Sequence, residues 1–164
     1  MIREATLSDA PTITSIYNHY VEHSYATMQC EKSDVAFFGE KIKQVQSSGH
    51  FWLVAEEESE IIGYAYSAAW NPREGYKQTC EVSVYLSPAI ITKGWGTKLY
   101  TELFERLKKK GIKVIIAVIG LPNEASIALH EKFGMKKVAH FPKMGFKFNK
   151  WMDVGYWQVN YNLD

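Results

Sequence analysis

The sequence predicts an α/β domain: a single mixed, mostly antiparallel central sheet flanked by helices. Three observations carry that expectation. Two segments of helical periodicity come first, three strand-like runs linked by turns follow, and a strand–loop–helix–strand–helix unit comes after them. The run KVIIAVIG (113–120) is almost unbroken in apolar residues, as expected of a strand covered on both faces. The chain has 164 residues, which suits one domain spanning 1–164 and leaves no room for a second.

Each element has its own justification. Ile2 to Ala5 reads as a short strand. Ser8 and Asp9 then offer cap oxygens, and Pro11 fits a first helical turn because the N–H it lacks would be unpaired there. Ile13, Ile16, Tyr17, Tyr20 and Val21 follow at helical spacing, and a second helix is predicted from Asp34 to Ser47 on Val35, Phe38, Ile42 and Val45. FWLVAE (51–56), IIGYAYSAAW (61–70) and QTCEVSVYL (78–86) read as strands, with the charged EEESE as a hairpin tip and NPREGY (71–76) as a loop. SPAIITKGWG (87–96) is rich in turn residues. After it, Leu99, Leu103, Phe104 and Leu107 share a helix face, and Lys108 to Lys110 read as cations at that helix's C-terminus ahead of Gly111. Asn123 is the expected cap of a last helix holding Ile127, Leu129, His130 and Phe133. MKKVAHF and WMDVGYWQVNYNL are strand-like, joined by an expected loop around PKMGFKFNK.

Composition narrows the function. Apolar residues make up 46% and charged residues 23%, as in ordinary folded domains. Lys and Arg number 19 against 18 Asp and Glu, a net charge of +1, which argues against a nucleic-acid binder. No apolar run approaches the roughly 20 residues that span a bilayer, and the N-terminus lacks signal-peptide design. Cys30 and Cys80 make neither a disulfide framework nor a metal pair, and read as half-buried thiols of a soluble cytoplasmic protein; no metal is expected.

The segment Lys93-Gly94-Trp95-Gly96-Thr97, between a strand and a helix, lets backbone N–H groups and a helix N-terminus approach an anion such as a pyrophosphate. It is neither a Walker loop nor a complete GxGxxG fingerprint. With its surroundings, VYLSPAIITKGWGTKLYTELFERL and IIAVIGLPNEASIALHEKFGM, it resembles the acyl-CoA-binding core of the GNAT N-acetyltransferase superfamily. AVIGLPN, GFK followed by W151-M-D-V-G-Y-W, and YNHYVEHS look like the subgroup of phosphinothricin and methionine sulfone/sulfoximine N-acetyltransferases, and the resemblance covers essentially the whole chain.

The resemblance implies a GNAT fold, acetyl-CoA as cosubstrate and a homodimer, packed in part through the C-terminal aromatic stretch. It assigns Val84, Tyr85 and Leu86 to the pantetheine arm, Thr92, Lys93, Gly94, Trp95, Gly96 and Thr97 to the pyrophosphate, and Asn123 to a further cofactor contact. Glu81 stands at the general-base position; from residue type alone it reads first as an ordinary strand carboxylate facing solvent. His130 replaces the tyrosine many relatives use near the leaving thiol, and could orient the base, relay a proton or protonate the thiolate, or simply be a packed helix histidine. Arg73, Tyr76 and Lys147 match positions around a small anionic amino-acid substrate. The chain departs from the pattern at Ile91, where a Gln or Arg is usual, with Lys93 or Lys98 to compensate, and at Met28, where relatives carry an aromatic residue. The implied reaction is acetylation of the α-amino group of an amino acid such as phosphinothricin, methionine sulfoximine or methionine sulfone. The alternatives are another amine, such as a polyamine or a protein N-terminus, or a CoA-binding module without turnover.

Overall fold

The computed structural model describes residues 1–90 and 94–163. Its strands are β1 (Ile2–Glu4), β2 (Trp52–Glu57), β3 (Glu60–Ala69), β4 (Thr79–Leu86), β5 (Val114–Leu121), β6 (Lys136–Lys147) and β7 (Lys150–Asn160), and its helices are α1 (Ala10–His23), α2 (Val35–Ser47), α3 (Trp95–Lys110) and α4 (Glu124–Lys132). The seven strands form one sheet in the order β1-β2-β3-β4-β5-β7-β6. Every neighbouring pair is antiparallel except β4–β5, which is parallel. The mixed, mostly antiparallel sheet expected from the sequence is the one observed.

The helices form where the apolar spacing placed them. α1 buries Ile13, Ile16 and Val21, and α2 buries Phe38, Ile42 and Val45, packing over Trp52, Val54 and Tyr64 of β2 and β3. The Asp34 carboxylate caps α2 by accepting the Phe37 N–H at 2.7 Å. On the opposite face α3 presents Leu99, Leu103 and Leu107, none with any exposed surface, to Ala65, Cys80, Val82 and Ile115. Each such leucine is worth roughly 1.5–3 kcal/mol of burial. Gly111, with φ 91°, ends α3 after its three terminal lysines, and Asn123 caps α4 by accepting the Ser126 N–H at 3.1 Å. α1 and α2 thus cover only the β1–β4 half of their face. The remainder holds an apolar hollow of about 440 Å³ lined by Trp70, Tyr76, Thr79, Ile116 and Tyr156 among others.

Three expectations need correction. The segment around PKMGFKFNK is not a loop: β6 runs through it to Lys147, and only Phe148 and Asn149, with φ of 51° and 57°, make the hairpin turn. β6 is an edge strand, which tolerates Pro142, and an irregularity between Phe141 and Gly145 accommodates it. Asp9 precedes α1 without capping it. Its carboxylate accepts the Thr6 N–H at 2.7 Å and two Arg3 N–H groups at 2.8 and 3.0 Å, and these bonds outweigh burial and hold it below the usual carboxylate range. The thiols are not alike either. Cys30 is exposed, whereas Cys80 is completely buried and pushed up to about 12 by that burial.

Between α1 and α2 the chain crosses over the far end of the sheet, and two glycines make room for it. A Cβ on Gly120 would lie 2.5 Å from the Tyr25 carbonyl oxygen, and one on Gly145 would lie 2.5 Å from the Met28 sulfur. Gly120→Ala and Gly145→Ala should each cost about 1–3 kcal/mol of stability, read as a lower urea midpoint. Cutting Met28 to Ala should shrink the Gly145→Ala loss, because a flexible side chain is the obstacle there. It should leave most of the Gly120→Ala loss, because the obstacle is backbone.

Candidate active site

The site begins where the one parallel pair comes apart. β4 and β5 are in register only from Thr79↔Val114 to Glu81↔Ile116. Beyond that point they separate and leave a cleft of about 260 Å³ whose walls include Val84, Leu86, Gly120, Asn123, Tyr100 and His130. Strand parity decides which backbone groups open onto it. Ser87 donates its N–H to the Ile62 carbonyl and Thr79 accepts from Trp70, so odd-numbered residues of β4 bond toward β3. The Gln78 carbonyl accepts from Lys113 and Val114, so even-numbered residues bond toward β5. The amides of Val84 and Leu86 therefore face the gap, where β5 no longer reaches them. The Leu86 carbonyl is engaged by the Tyr20 hydroxyl at 2.7 Å. Tyr85 lines the cleft, but its amide faces β3, and its ring packs edge-on against Tyr17 and Tyr20.

At the mouth of the cleft, Gly94 adopts φ 102°, a left-handed conformation open to glycine, and starts α3. The first N–H groups of α3 have no partner within the helix and carry its positive end. Gly96 lines the cleft and Trp95 is buried beneath it. Two cations flank this turn: the Lys98 ammonium lies 4.0 Å over the Trp95 ring, and Lys132 donates to the Thr97 hydroxyl at 3.4 Å. Ile91, Thr92 and Lys93, including two of the expected cofactor contacts, lie outside the described residues.

His130 is buried in the cleft wall. Its Nδ1 lies 2.7 Å from the Ser126 carbonyl oxygen and must donate to it, so Nε2 is the acceptor of the Tyr100 hydroxyl at 2.9 Å. Burial pushes the imidazole below its usual range, only partly offset by the Ser126 carbonyl, so the ring is neutral at pH 7. The nearest titratable partner of His130 is thus Tyr100, a residue that the sequence reading did not single out.

Glu81 belongs to the other side of the sheet. Val82 and Cys80 face α3, so Glu81, Ser83 and Tyr85 point toward the α1–α2 face, directly across from Ala68, Tyr66 and Tyr64. Burial raises the Glu81 carboxyl above its usual range, while the charge of Lys41 on α2 pulls it back. The base candidate and the cleft meet at the residue pair where β4 and β5 part. Glu81 is partly buried and so is not the solvent-facing carboxylate that residue type alone allows.

The three substrate candidates separate. Arg73 and Tyr76 are exposed on the loop before β4, and Tyr76 lines the apolar hollow that reaches Ile116, the partner of Glu81. Lys147 is elsewhere in chemical terms. Its ammonium is buried and donates to the carbonyls of Tyr20, Ser24 and Thr27 at 3.2, 2.6 and 2.8 Å, so its three donors are spent on the end of α1 and the segment after it. It fixes the wall that carries Met28 and leaves nothing for a substrate. Among the described residues no three His, Cys, Asp or Glu side chains gather as a metal site requires. No described helix is long and apolar enough to cross a membrane.

Comparison with known proteins agrees with this geometry. The family model described as an acetyltransferase (GNAT) domain matches residues 2–155. The phosphinothricin N-acetyltransferase of Streptomyces viridochromogenes is 36% identical over 99% of this chain and 88% of its own. The L-methionine sulfoximine/L-methionine sulfone acetyltransferase of Salmonella typhimurium is 36% identical over 96% and 92%. The crystal structure of a phosphinothricin acetyltransferase from Sinorhizobium meliloti in complex with acetyl-CoA superposes with a TM-score of 0.94 at 34% identity, covering 98% of this chain and 87% of that one. Split strands, a glycine turn opening a helix and full-length similarity together lead to one conclusion: the chain belongs to the GNAT acetyltransferase family.

Proposed function

We propose that the chain, acting as one domain, transfers the acetyl group of acetyl-CoA to the α-amino group of a small amino acid such as phosphinothricin, methionine sulfoximine or methionine sulfone. The observation that carries this reading is the two-sided site. A cleft lined by unpaired strand backbone opens between β4 and β5, and a carboxylate raised by burial stands on the opposite face at the point where the opening begins.

Acetyl-CoA fits the cleft side. The acetyl-pantetheine arm runs along β4, the Leu86 amide pairing with the arm and the Val84 amide left for the thioester oxygen. The pyrophosphate belongs at the start of α3 on Gly94, Trp95, Gly96 and Thr97, with Thr92 and Lys93 assigned to it on the family resemblance alone, and Asn123 is assigned a cofactor contact from the α4 side. Glu81 accepts the ammonium proton of the substrate, directly or through a water, and an elevated carboxyl pKa suits that task better than an ordinary one. The amine then attacks the thioester carbon, and the Val84 N–H donates to the oxygen as it gains charge. As the C–S bond breaks, the thiolate takes up a proton. Tyr100 and His130 are the groups of the cleft wall able to move one. Tyr76 borders the hollow that reaches Ile116, the partner of Glu81, and Arg73 stands on the same loop; a phosphinyl or sulfonyl end belongs there, which speaks against a polyamine.

The reading extends to assembly and setting. Val138, Phe141, Met144, Phe146 and Trp151 stand exposed along the β6–β7 hairpin, with Trp151 at 57% and Val138 at 56% exposure. Such a band supports a homodimer closed through this hairpin. Free thiols at Cys30 and Cys80 suit a reducing cytoplasm.

A thiol-release assay with acetyl-CoA across a panel of amino acids tests the function; tight CoA binding without turnover on any of them overturns it. Glu81→Gln should lower kcat by about 10²–10⁴ and leave acetyl-CoA binding intact. The wild-type acidic limb of the kcat/KM profile should lie above the ordinary glutamate pKa and vanish in the variant. Light scattering should find a dimer, and Phe146→Glu with Trp151→Glu should return a folded monomer.

A further inference from the structure

One cation on the Glu81 side has no assigned task. Lys41 of α2 is half-buried, and its ammonium donates to the Tyr66 hydroxyl oxygen at 3.0 Å while lying 4.7 Å over the Tyr66 ring, with Phe38 and Trp52 rings at 5.9 and 6.0 Å. Lys32 and Lys43 pair with Glu22 and Glu40 at 2.7 Å, but among the described residues no carboxylate lies within ion-pair distance of Lys41. The aromatic floor steadies the half-buried ammonium, and with no carboxylate within ion-pair distance its remaining donors are open to an anion from outside. Because the Tyr66 oxygen accepts a hydrogen bond from Lys41, its own hydroxyl hydrogen is free to donate. The two groups thus present a charged donor and a neutral donor side by side, the pattern that binds a carboxylate.

The position matches that pattern. Tyr66 stands opposite Ser83, and Ala68 opposite Glu81. Tyr66 and Glu81 are therefore diagonal neighbours on one face, roughly 7 Å apart at the backbone. Two further residues along β3, past Ala69, lies Trp70 and the hollow beside Tyr76. Glu81 is thus flanked by Lys41–Tyr66 on one side and by the Arg73–Tyr76 loop on the other. An amino acid carries amine and carboxylate on the same carbon and its side-chain end farther off, and its three groups fall in this order.

We propose that Lys41 and the Tyr66 hydroxyl form the subsite for the α-carboxylate of the acceptor, leaving the distal acidic or sulfonyl end to Arg73 and Tyr76. The assignment rests on the amino-acid acceptor reading above. It makes Lys41 the residue that separates amino acids from simple amines.

The experiment compares methionine sulfone with its carboxamide at saturating acetyl-CoA. The wild-type enzyme should show the higher KM for the carboxamide. Lys41→Met should raise KM for methionine sulfone ten- to a hundred-fold, with kcat within a few-fold and KM for acetyl-CoA unchanged. It should leave the carboxamide KM where it was, and Lys41→Arg should restore most of the discrimination. An equal rise with both acceptors makes Lys41 a packing residue and overturns the subsite, as does no rise with either. If Lys41→Met does not fold, equal wild-type KM values for acid and carboxamide overturn it instead. Failure of the wild-type enzyme to acetylate any amino acid overturns the acceptor reading, and the subsite with it.

Discussion

Everything in this molecule depends on a sheet that opens in its middle without coming apart. The opening is tolerable because each lip has a full partner on its other side: β4 keeps seven register pairs with β3, and β5 keeps eight with β7. Between them only three parallel pairs hold the seam closed at one end. Unpaired backbone groups in the gap would be costly if sealed away from any partner, and two arrangements prevent this. The Tyr20 hydroxyl satisfies the Leu86 carbonyl, and the rest face a cleft into which a ligand or water can reach. On the proposed reading, the amide-bearing arm of the cofactor takes the place in the ladder that β5 abandons.

The opening also sorts the chemistry by face. The thioester side has neutral groups, with His130 and Tyr100 bonded to each other and both disfavoured from charging by burial. The amine side has the charges, Glu81 and Lys41, over a floor of Tyr17, Tyr66 and Tyr85. A net charge of +1 offers a polyanionic cofactor no general attraction. On the proposed reading the local supply is the start of α3 with Lys98 and Lys132 at its edge, groups whose reach is short.

Much of this was legible in the residues. Periodicity placed all four helices, Asn123 announced its own cap, and the glycine turn ahead of Leu99 signalled an anion site. What stayed hidden has physical reasons. The segment PKMGFKFNK looked like a loop because local propensity does not reveal that β6 is an edge where a bulge is cheap. Lys147 looked available because nothing in a sequence shows that three carbonyls from residues 20 to 27 converge on it. Tyr100 sat in a run of core-facing positions, and its bond to a histidine thirty residues later is a matter of how α3 meets α4. Lys41 lay among the polar residues of an amphipathic helix, and only the aromatic stack of β2 and β3 beneath it marks it out.

The Lys147 clamp has a consequence for the order in which the protein comes into being. It ties a side chain near the C-terminus to carbonyls more than a hundred residues earlier, and β7, the last strand synthesised, is the one that joins the β6 hairpin to β5. Contacts of such long sequence separation form late, because the loop between them must first be closed. A chain still emerging from the ribosome can assemble β1 to β5 and their helices, but the crossing segment over Gly120 then rests on its bonds to Tyr17 and Asn18 of α1 until the hairpin docks and Lys147 clamps it. The wall that carries Met28 is therefore the last part of the molecule to become solid.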